Sequence, residues 1–458
     1  MRQVLILFCL FTALSWGQSY TGSIRGTVTD HTKAAVPGAK VTVTDADRNV
    51  EFSTLTDSSG RYILPTLPAA RYALTVEAQG FDKAAQPAFA LEVQQQATVD
   101  VELKIGSLAT TVEVQGAAPL LNTVSATLGQ VVENRMMMTI PQNTRNPLGL
   151  ILLAPGIVST GSGTNFVSSG VRNNASEVLM DGGPLTGIEQ NGGVTDVKYT
   201  PTVDVVEEFK VQTNFFSAEF GNSGGTVINM VSKSGTNQVH GVGYYFRRDN
   251  ALNANNWFSN ARNSPLADSK RDNYGATIGG PVAIPKIYNG RNRTFFFFDY
   301  DRISALSATT SLGSVPTAQQ LSGDFSDTRL ANGNLVPLYD PYNTFKDASG
   351  NTLRNPIPGN VIPLSRQNPI TLNFIKYYPA PNLPGNPLTR NNNWFGQGST
   401  PSNGNKIDVK IDQNFTDKQR LSARYGVNWT YSGVANLVNN ISFNGNPGTE
   451  RDQNFILD

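Results

Sequence analysis

The sequence predicts a mainly β chain: a small β-sandwich near the N-terminus, a mixed α+β region, then the first strands of an incomplete transmembrane β-barrel. Three observations predict it. The 458 residues include 42 glycines and 26 prolines, a composition of turns and short strands rather than long helices. Apolar and polar residues alternate with a period of two in many short segments, the signature of half-buried strands. Toward the C-terminus the strands lengthen to about ten residues and their connections switch between short and long, as in a transmembrane barrel.

Composition narrows the function classes. Only 16% of residues are charged and the formal net charge is +1, so neither a basic balance nor a basic stripe marks a nucleic-acid binder. No apolar run reaches the length of about 18 residues that a transmembrane helix needs, which leaves strands to play any membrane role. His31 and His240 are the only histidines and Cys9 the only cysteine. A histidine metal centre, a haem ligand pair or a Ser/His/Asp triad is poorly supplied, and no carboxylate pair stands out by its spacing. The expectation is a protein without cofactor or metal that is not an enzyme.

The first residues read as a secretory signal. Arg2 gives a minimal basic start, Val4 to Leu14 an apolar core, and Ser15-Trp16-Gly17 the small residues before a cleavage site. Cleavage is expected between Gly17 and Gln18, making residues 1–17 the signal peptide. Cys9 lies within the apolar core, so the mature chain is expected to carry no disulfide.

From residue 18 to 105 short strands follow one another. Ile24, Gly26 and Val28 alternate with Arg25 and Thr27; Tyr72, Leu74 and Val76 share a face; Val99, Val101, Leu103 and Ile105 oppose Asp100, Glu102 and Lys104. Pro37-Gly38, Asp57-Ser58-Ser59-Gly60 and Gln79-Gly80 supply the turns. Strands at this spacing make a small antiparallel sandwich. The ordered pieces GSIRGTVTD, VPGAKVTVTD and TDSSGRYILPTLPAARYALTVEAQGF resemble the carboxypeptidase regulatory-like domain, which implies a transthyretin-like fold and an accessory role.

Residues 106–122 read as a linker with an extended stretch from Thr110 to Gln115. Leu128 to Met138 fits a helix, and Leu148 to Leu153 is an apolar run stopped by Pro155-Gly156. Met136, Met137 and Met138 read as packing residues. The richest region is Ser168 to Gly235. EVLMDGGPL is a strand ending in a tight turn, where Asp181, Gly182 and Gly183 suit positive φ; VDVVEEFKVQTNFFSAEFGNSGGTVINMVSKSG holds two more strands. Together with IPQNTRNPLGLILLAPGI, these blocks resemble the plug of TonB-dependent outer-membrane transporters of the Oar-like subfamily. The resemblance implies a plug over residues 123–237, with Asp181, Gly182 and Gly183 as its structural turn. It implies partners too: a TonB-type energy-coupling protein, outer-membrane lipid and an extracellular ligand. It also implies a periplasmic place for the sandwich. Thr111, Val112, Glu113 and Val114 stand where the family keeps its TonB box and are similar to one; a plain linker strand is the other reading.

Residues 238–458 supply the barrel pattern. One face of a first strand carries His240, Val242, Tyr244 and Phe246, a second Tyr274, Ala276 and Ile278, a third Phe296, Phe298 and Tyr300. A fourth sets Ile407, Val409 and Ile411 against Asp408, Lys410 and Asp412. A fifth sets Leu421, Ala423, Tyr425, Val427 and Trp429 against Arg420, Ser422, Arg424, Gly426 and Asn428. Apolar faces are expected toward lipid, since an Arg at the midplane would cost ~2–4 kcal/mol. Ser304–Asn405 reads either as an extracellular substrate loop or as a disordered insertion. Five strands leave open edges that a membrane does not tolerate, and transporters of this kind close with about 22, so the chain is expected to be a fragment or a truncated product. A surface adhesin built of β-modules is the alternative function. The ligand is not legible: a siderophore, an oligosaccharide, a peptide and a larger polymer each fit.

Overall fold

A computed structural model describes residues 20–106, 111–113, 128–142, 144–159, 166–168, 170–172, 175–187, 197–214, 216–221, 223–416, 419–438 and 447–458. The expected cleavage site at Gly17 and Gln18, and Val114, lie outside the described residues.

The N-terminal unit contains β1 (Gly22–Asp30), β2 (Lys40–Asp45), β3 (Glu51–Leu55), β4 (Arg61–Leu67), β5 (Ala70–Glu77), β6 (Lys83–Leu91), β7 (Gln96–Thr98), β8 (Val101–Leu103) and β9 (Thr111–Glu113). β1 lies between antiparallel β4 and parallel β7 and β8; the second sheet runs β3-β2-β5-β6-β9. Period-2 alternation decides what each strand buries. Ile24 and Val28 on β1, Val41 and Val43 on β2, and Tyr72, Leu74 and Val76 on β5 form one core between the sheets. Each fully buried side chain of this size contributes about 1.5–3 kcal/mol. The alternation from Val99 to Ile105 is only partly a strand: Val101 and Leu103 are buried on β8, whereas Ile105 is 70% exposed and forms an isolated bridge with Phe81. The expected linker also contributes structure, since Thr111–Glu113 is β9, paired to β6.

The central region is one mixed sheet, β10-β15-β16-β13-β14, built from β10 (Leu128–Glu133), β13 (Glu177–Met180), β14 (Gly183–Pro184), β15 (Val206–Asn214) and β16 (Val227–Ser232). A two-stranded pair, β11 (Ile157–Ser159) and β12 (Phe166–Ser168), stands beside it. The helix expected from Leu128 to Met138 is half strand: Gly129–Glu133 pairs with β15, and the helix covers only Asn134–Thr139. Pairing to β15 overrides local helix propensity. Met137 is buried in the core with Val178, Met180, Phe209 and Ile228.

The C-terminal region is a six-stranded antiparallel sheet in sequence order: β17 (His240–Asp249), β18 (Lys270–Pro281), β21 (Thr294–Gly313), β24 (Trp394–Asn414), β25 (Arg420–Ser432) and β26 (Gly448–Leu457). Two small hairpins sit in its connections, β19 (Ala283–Ile284) with β20 (Tyr288–Asn289), and β22 (Tyr339–Lys346) with β23 (Thr352–Pro356). β21 and β24 stay paired from Thr294↔Gln413 to Gly313↔Trp394, so both ends of the expected 304–405 loop are strand. The rest is folded. Asn393 exchanges 2.8 Å hydrogen bonds with the Val315 backbone, and Arg366 holds Asp340 through contacts of 2.6 and 2.7 Å. These contacts exclude the reading of a disordered insertion.

Candidate functional site: a charged face between the central sheet and the six-stranded wall

The wall is inside out relative to a water-soluble sheet. On β24 Lys410 is 5% exposed and its neighbour Ile411 47% exposed. Asp299, Asp301, Asp408, Arg424 and Asn428 are likewise buried, whereas Ile278, Phe298, Tyr425 and Trp429 point outward and are exposed. The buried polar face is the one turned toward the central sheet.

The first strand corrects the sequence reading. Tyr244 pairs with Gly275 and Val242 with Thr277, and Thr277 lies on the buried face of β18. The set His240, Val242, Tyr244 and Phe246 therefore faces inward. The Tyr244 hydroxyl donates to Asp301 at 2.7 Å, and the Arg145 guanidinium lies 3.8 Å from the Phe246 ring centroid. Aromatic rings with polar partners serve an inward face as well as a membrane face.

Asp181 is the hub of the contact. It ends β13 with φ 47°, and Gly182 follows at φ 77°, a left-handed turn that Asp tolerates and Gly favours. Its carboxylate accepts from the Ser232 backbone N–H at 2.9 Å and from the Ser232 hydroxyl at 2.6 Å, which ties the ends of β13 and β16. On the wall side stand Lys410 Nζ at 3.7 Å and Arg424 Nε at 3.9 Å. Burial alone would raise the carboxyl pKa of Asp181. The Lys410 and Arg424 cations and the Ser232 donors outweigh it and hold the pKa below the ordinary value. Gly183 pairs with Met180 and lies against Ile456 of β26.

Arg424 joins this hub to a second. Its guanidinium contacts Asp408 at 2.5 Å and donates to Asn454 at 2.9 Å. Asp408 also accepts from the Tyr199 hydroxyl, and Arg424 lies 5.1 Å from the Tyr199 ring centroid. A Cβ at Gly426 would lie 2.5 Å from the Tyr199 hydroxyl, so this wall position has room for the ring only as glycine. Further along, Lys233 pairs with Asp204 at 2.7 Å, Thr277 donates to Asp204 at 2.7 Å, and Lys406 donates to the Thr200 carbonyl at 2.8 Å. Sequence reasoning put Asp408, Lys410 and Arg424 on the inner face and Asp181 in a turn. It did not join them, because alternation reports which way a side chain points and not what it meets. The arrangement seats one sheet inside another through buried charge; among the described residues no group of His, Cys, Asp or Glu is placed to hold a metal ion.

The N-terminal unit meets both bodies at the end of the wall that carries short turns. Arg48 Nε donates to the Gly235 carbonyl at 3.1 Å, Asn237 donates to the Arg48 carbonyl at 2.7 Å, and Tyr20 donates to Asp458 at 2.9 Å. The Val93 N–H donates to Glu208 of β15. Burial pushes the Glu208 carboxyl up to about 7; the Val93 amide opposes this, and Glu92, Glu207 and Glu133 add to it. The folded state thus holds a proton that the unfolded state has lost between about pH 4.5 and 7. The resulting stability is fully present below about pH 4.5 and is lost as pH rises through 7, a change of roughly 3 kcal/mol. Urea unfolding of the full-length protein in detergent at pH 5 and pH 8 is expected to show this fall, and Glu208→Gln to remove it. An unchanged pH dependence in Glu208→Gln would assign the fall to other groups.

Thr111, Val112 and Glu113 form β9, the edge strand of the second sheet of the N-terminal unit. The structure brings them together with β6 and not with Asp181.

Residues 23–104 match the carboxypeptidase regulatory-like domain, and residues 231–458 match the outer membrane beta barrel domain. The TonB-dependent transporter Oar of Myxococcus xanthus is 28% identical over 366 residues, which cover 77% of this chain and 31% of Oar. Solved structures of the ferric enterobactin receptor of Pseudomonas aeruginosa match at 12% identity with a TM-score of 0.36, over 68% of this chain and 34% of that one. Catechol 1,2-dioxygenase of Acinetobacter radioresistens matches at 19% identity and a TM-score of 0.18, over 22% of this chain and 57% of that one. Structural scores this low establish no shared fold. The two domain matches and the similarity to Oar fix what the chain carries: a carboxypeptidase regulatory-like domain at its N-terminal side and an outer membrane beta barrel domain, in a chain related to the TonB-dependent transporter Oar.

Proposed function

We propose that the protein acts as an outer-membrane receptor and transporter that takes up an extracellular ligand with energy from a TonB-type partner. In this reading residues 18–105 are a periplasmic sandwich, 106–122 the segment bearing the TonB box, 123–237 a plug, and 238–458 the first strands of the barrel. The observation that carries it is the reversed burial of the wall, with charge turned onto the central sheet and apolar side chains turned out, where lipid would meet them. Asp181, Gly182 and Gly183 are then the turn by which the plug is seated on Lys410 and Arg424.

The side on which each element lies is supported by the contacts of the N-terminal unit. Asn237, Asn292 and Asp458 gather at the short-turn end, and short turns are periplasmic in such barrels. The connection from Asn250 to Ser269 and the folded segment 314–393 leave from the opposite end. Single cysteines in the full-length protein, exposed to a membrane-impermeant maleimide on intact cells, test this. Trp257 and Tyr342 sites are expected to react at once, and Lys286 and Gln419 sites only after the outer membrane is opened. The reverse pattern would invert the topology and remove the periplasmic sandwich.

A further inference from the structure

β9 occupies the outer edge of β6. The two strands run parallel, with Lys83 opposite Thr111, Ala84 opposite Val112 and Ala85 opposite Glu113. The other edge of β6 pairs with β5, so β9 ends the order β3-β2-β5-β6-β9. Only three residue pairs hold it, and parallel pairing is the weaker kind per residue. Without β9 the edge of β6 would be an open template for another strand.

An extended segment recruited by a partner's sheet binds through its main-chain N–H and C=O groups. Here one edge of that segment is already taken. A partner adding to the other edge would leave Thr111–Glu113 fastened to Lys83–Ala85, and tension on the segment would pass into the N-terminal unit. For tension to reach the central sheet, which follows β9 in the chain, β9 must first leave β6.

We infer that the regulatory-like domain is a latch: it holds the coupling strand in cis on β6, and the energy-coupling protein must displace that strand to engage. This rests on the reading of Thr111–Val114 as the TonB box. The latch lowers the apparent affinity for the partner by the fraction of molecules with β9 released. Three residue pairs of ladder correspond to a weakening of about tenfold or more.

The test uses the full-length protein in detergent and, as probe, the soluble periplasmic domain of the host's TonB-type protein. Ala84→Cys and Val112→Cys occupy paired positions of the β6–β9 ladder, the placement a disulfide between neighbouring strands requires. The pair is expected to oxidise readily within one chain. The oxidised form should bind the probe at least about tenfold more weakly than the reduced form, while oxidant leaves the binding of each single cysteine variant where it was. Failure of the pair to oxidise would overturn the docking of β9. A formed disulfide with unchanged binding would overturn the latch. Val112→Pro separates the two ideas, because it removes a main-chain donor that any strand addition needs. If it abolishes binding while the disulfide does not, the box stands and the latch falls; if it too leaves binding intact, the box reading itself falls.

Discussion

Arg424→Met is expected to cost about 3–5 kcal/mol in the seating of the central sheet on the wall. The guanidinium is buried, contacts Asp408 at 2.5 Å and stands 3.9 Å from Asp181. Methionine fills much of the same space but leaves Asp408 without its close cation and Asp181 with Lys410 alone, in a buried interface. Removing one partner of a buried ionic group is costly because the others stay behind uncompensated. The measurement is the denaturant dependence of trypsin cleavage within residues 128–232 of the full-length protein. Adding Asp408→Asn to Arg424→Met should recover part of the loss, because the orphaned charge is then gone. A loss below about 1 kcal/mol, with no recovery in the double variant, would mean that water or other donors already satisfy these groups.

Val112→Pro is expected to abolish uptake in the full-length transporter while ligand still binds at the cell surface. The residue lies in the only described stretch between Gly106 and Leu128, and its main chain is in a β-ladder. Proline removes the N–H and fixes φ, so neither β6 nor a partner's strand can pair there normally. The core of the N-terminal unit runs from Ile24 to Leu103, and the Asp181 hub is built on Ser232, Lys410 and Arg424. Uptake is to be compared with unmodified protein at matched surface expression. Undiminished uptake would place energy coupling elsewhere in the chain.

What the sequence revealed follows from what alternation can encode. β18, β24 and β25 were legible because each carries apolar residues at every second position against mostly polar or small ones, and β21 because its run of four Phe passes into the alternation Asp299-Tyr300-Asp301. β26 was not: in GTERDQNFIL only the last residues are apolar, and its place is set by pairing with β25. The face of β17 was misjudged because Tyr and Phe suit a lipid surface and an aromatic contact with Arg145 equally well. Met136 to Met138 were rightly read as packing residues, while the strand of Leu128–Glu133 was hidden because its pairing partner is far away in the chain. The same limit hid the site. Asp181 was recognisable as a turn residue, and Lys410 and Arg424 as inward-facing, but the hub forms only when two distant segments pack. β9 was legible as an extended stretch; its dock on β6 was not.

The central claim is that the exposed apolar face of the six-stranded sheet meets lipid. Spin labels at Ile278, Ile411 and Tyr425 of the full-length protein in lipid vesicles test it most directly, with Ser422 on the inner face and Tyr342 in the outer segment as references. Ser422 bonds to Asp412 on the inner side, and Tyr342 is 89% exposed. Relaxation by dissolved oxygen should dominate at the three outward sites, relaxation by a water-soluble nickel chelate at Tyr342, and neither strongly at Ser422. Nickel access at Ile278, Ile411 and Tyr425 equal to that at Tyr342 would show a sheet facing water and contradict the barrel.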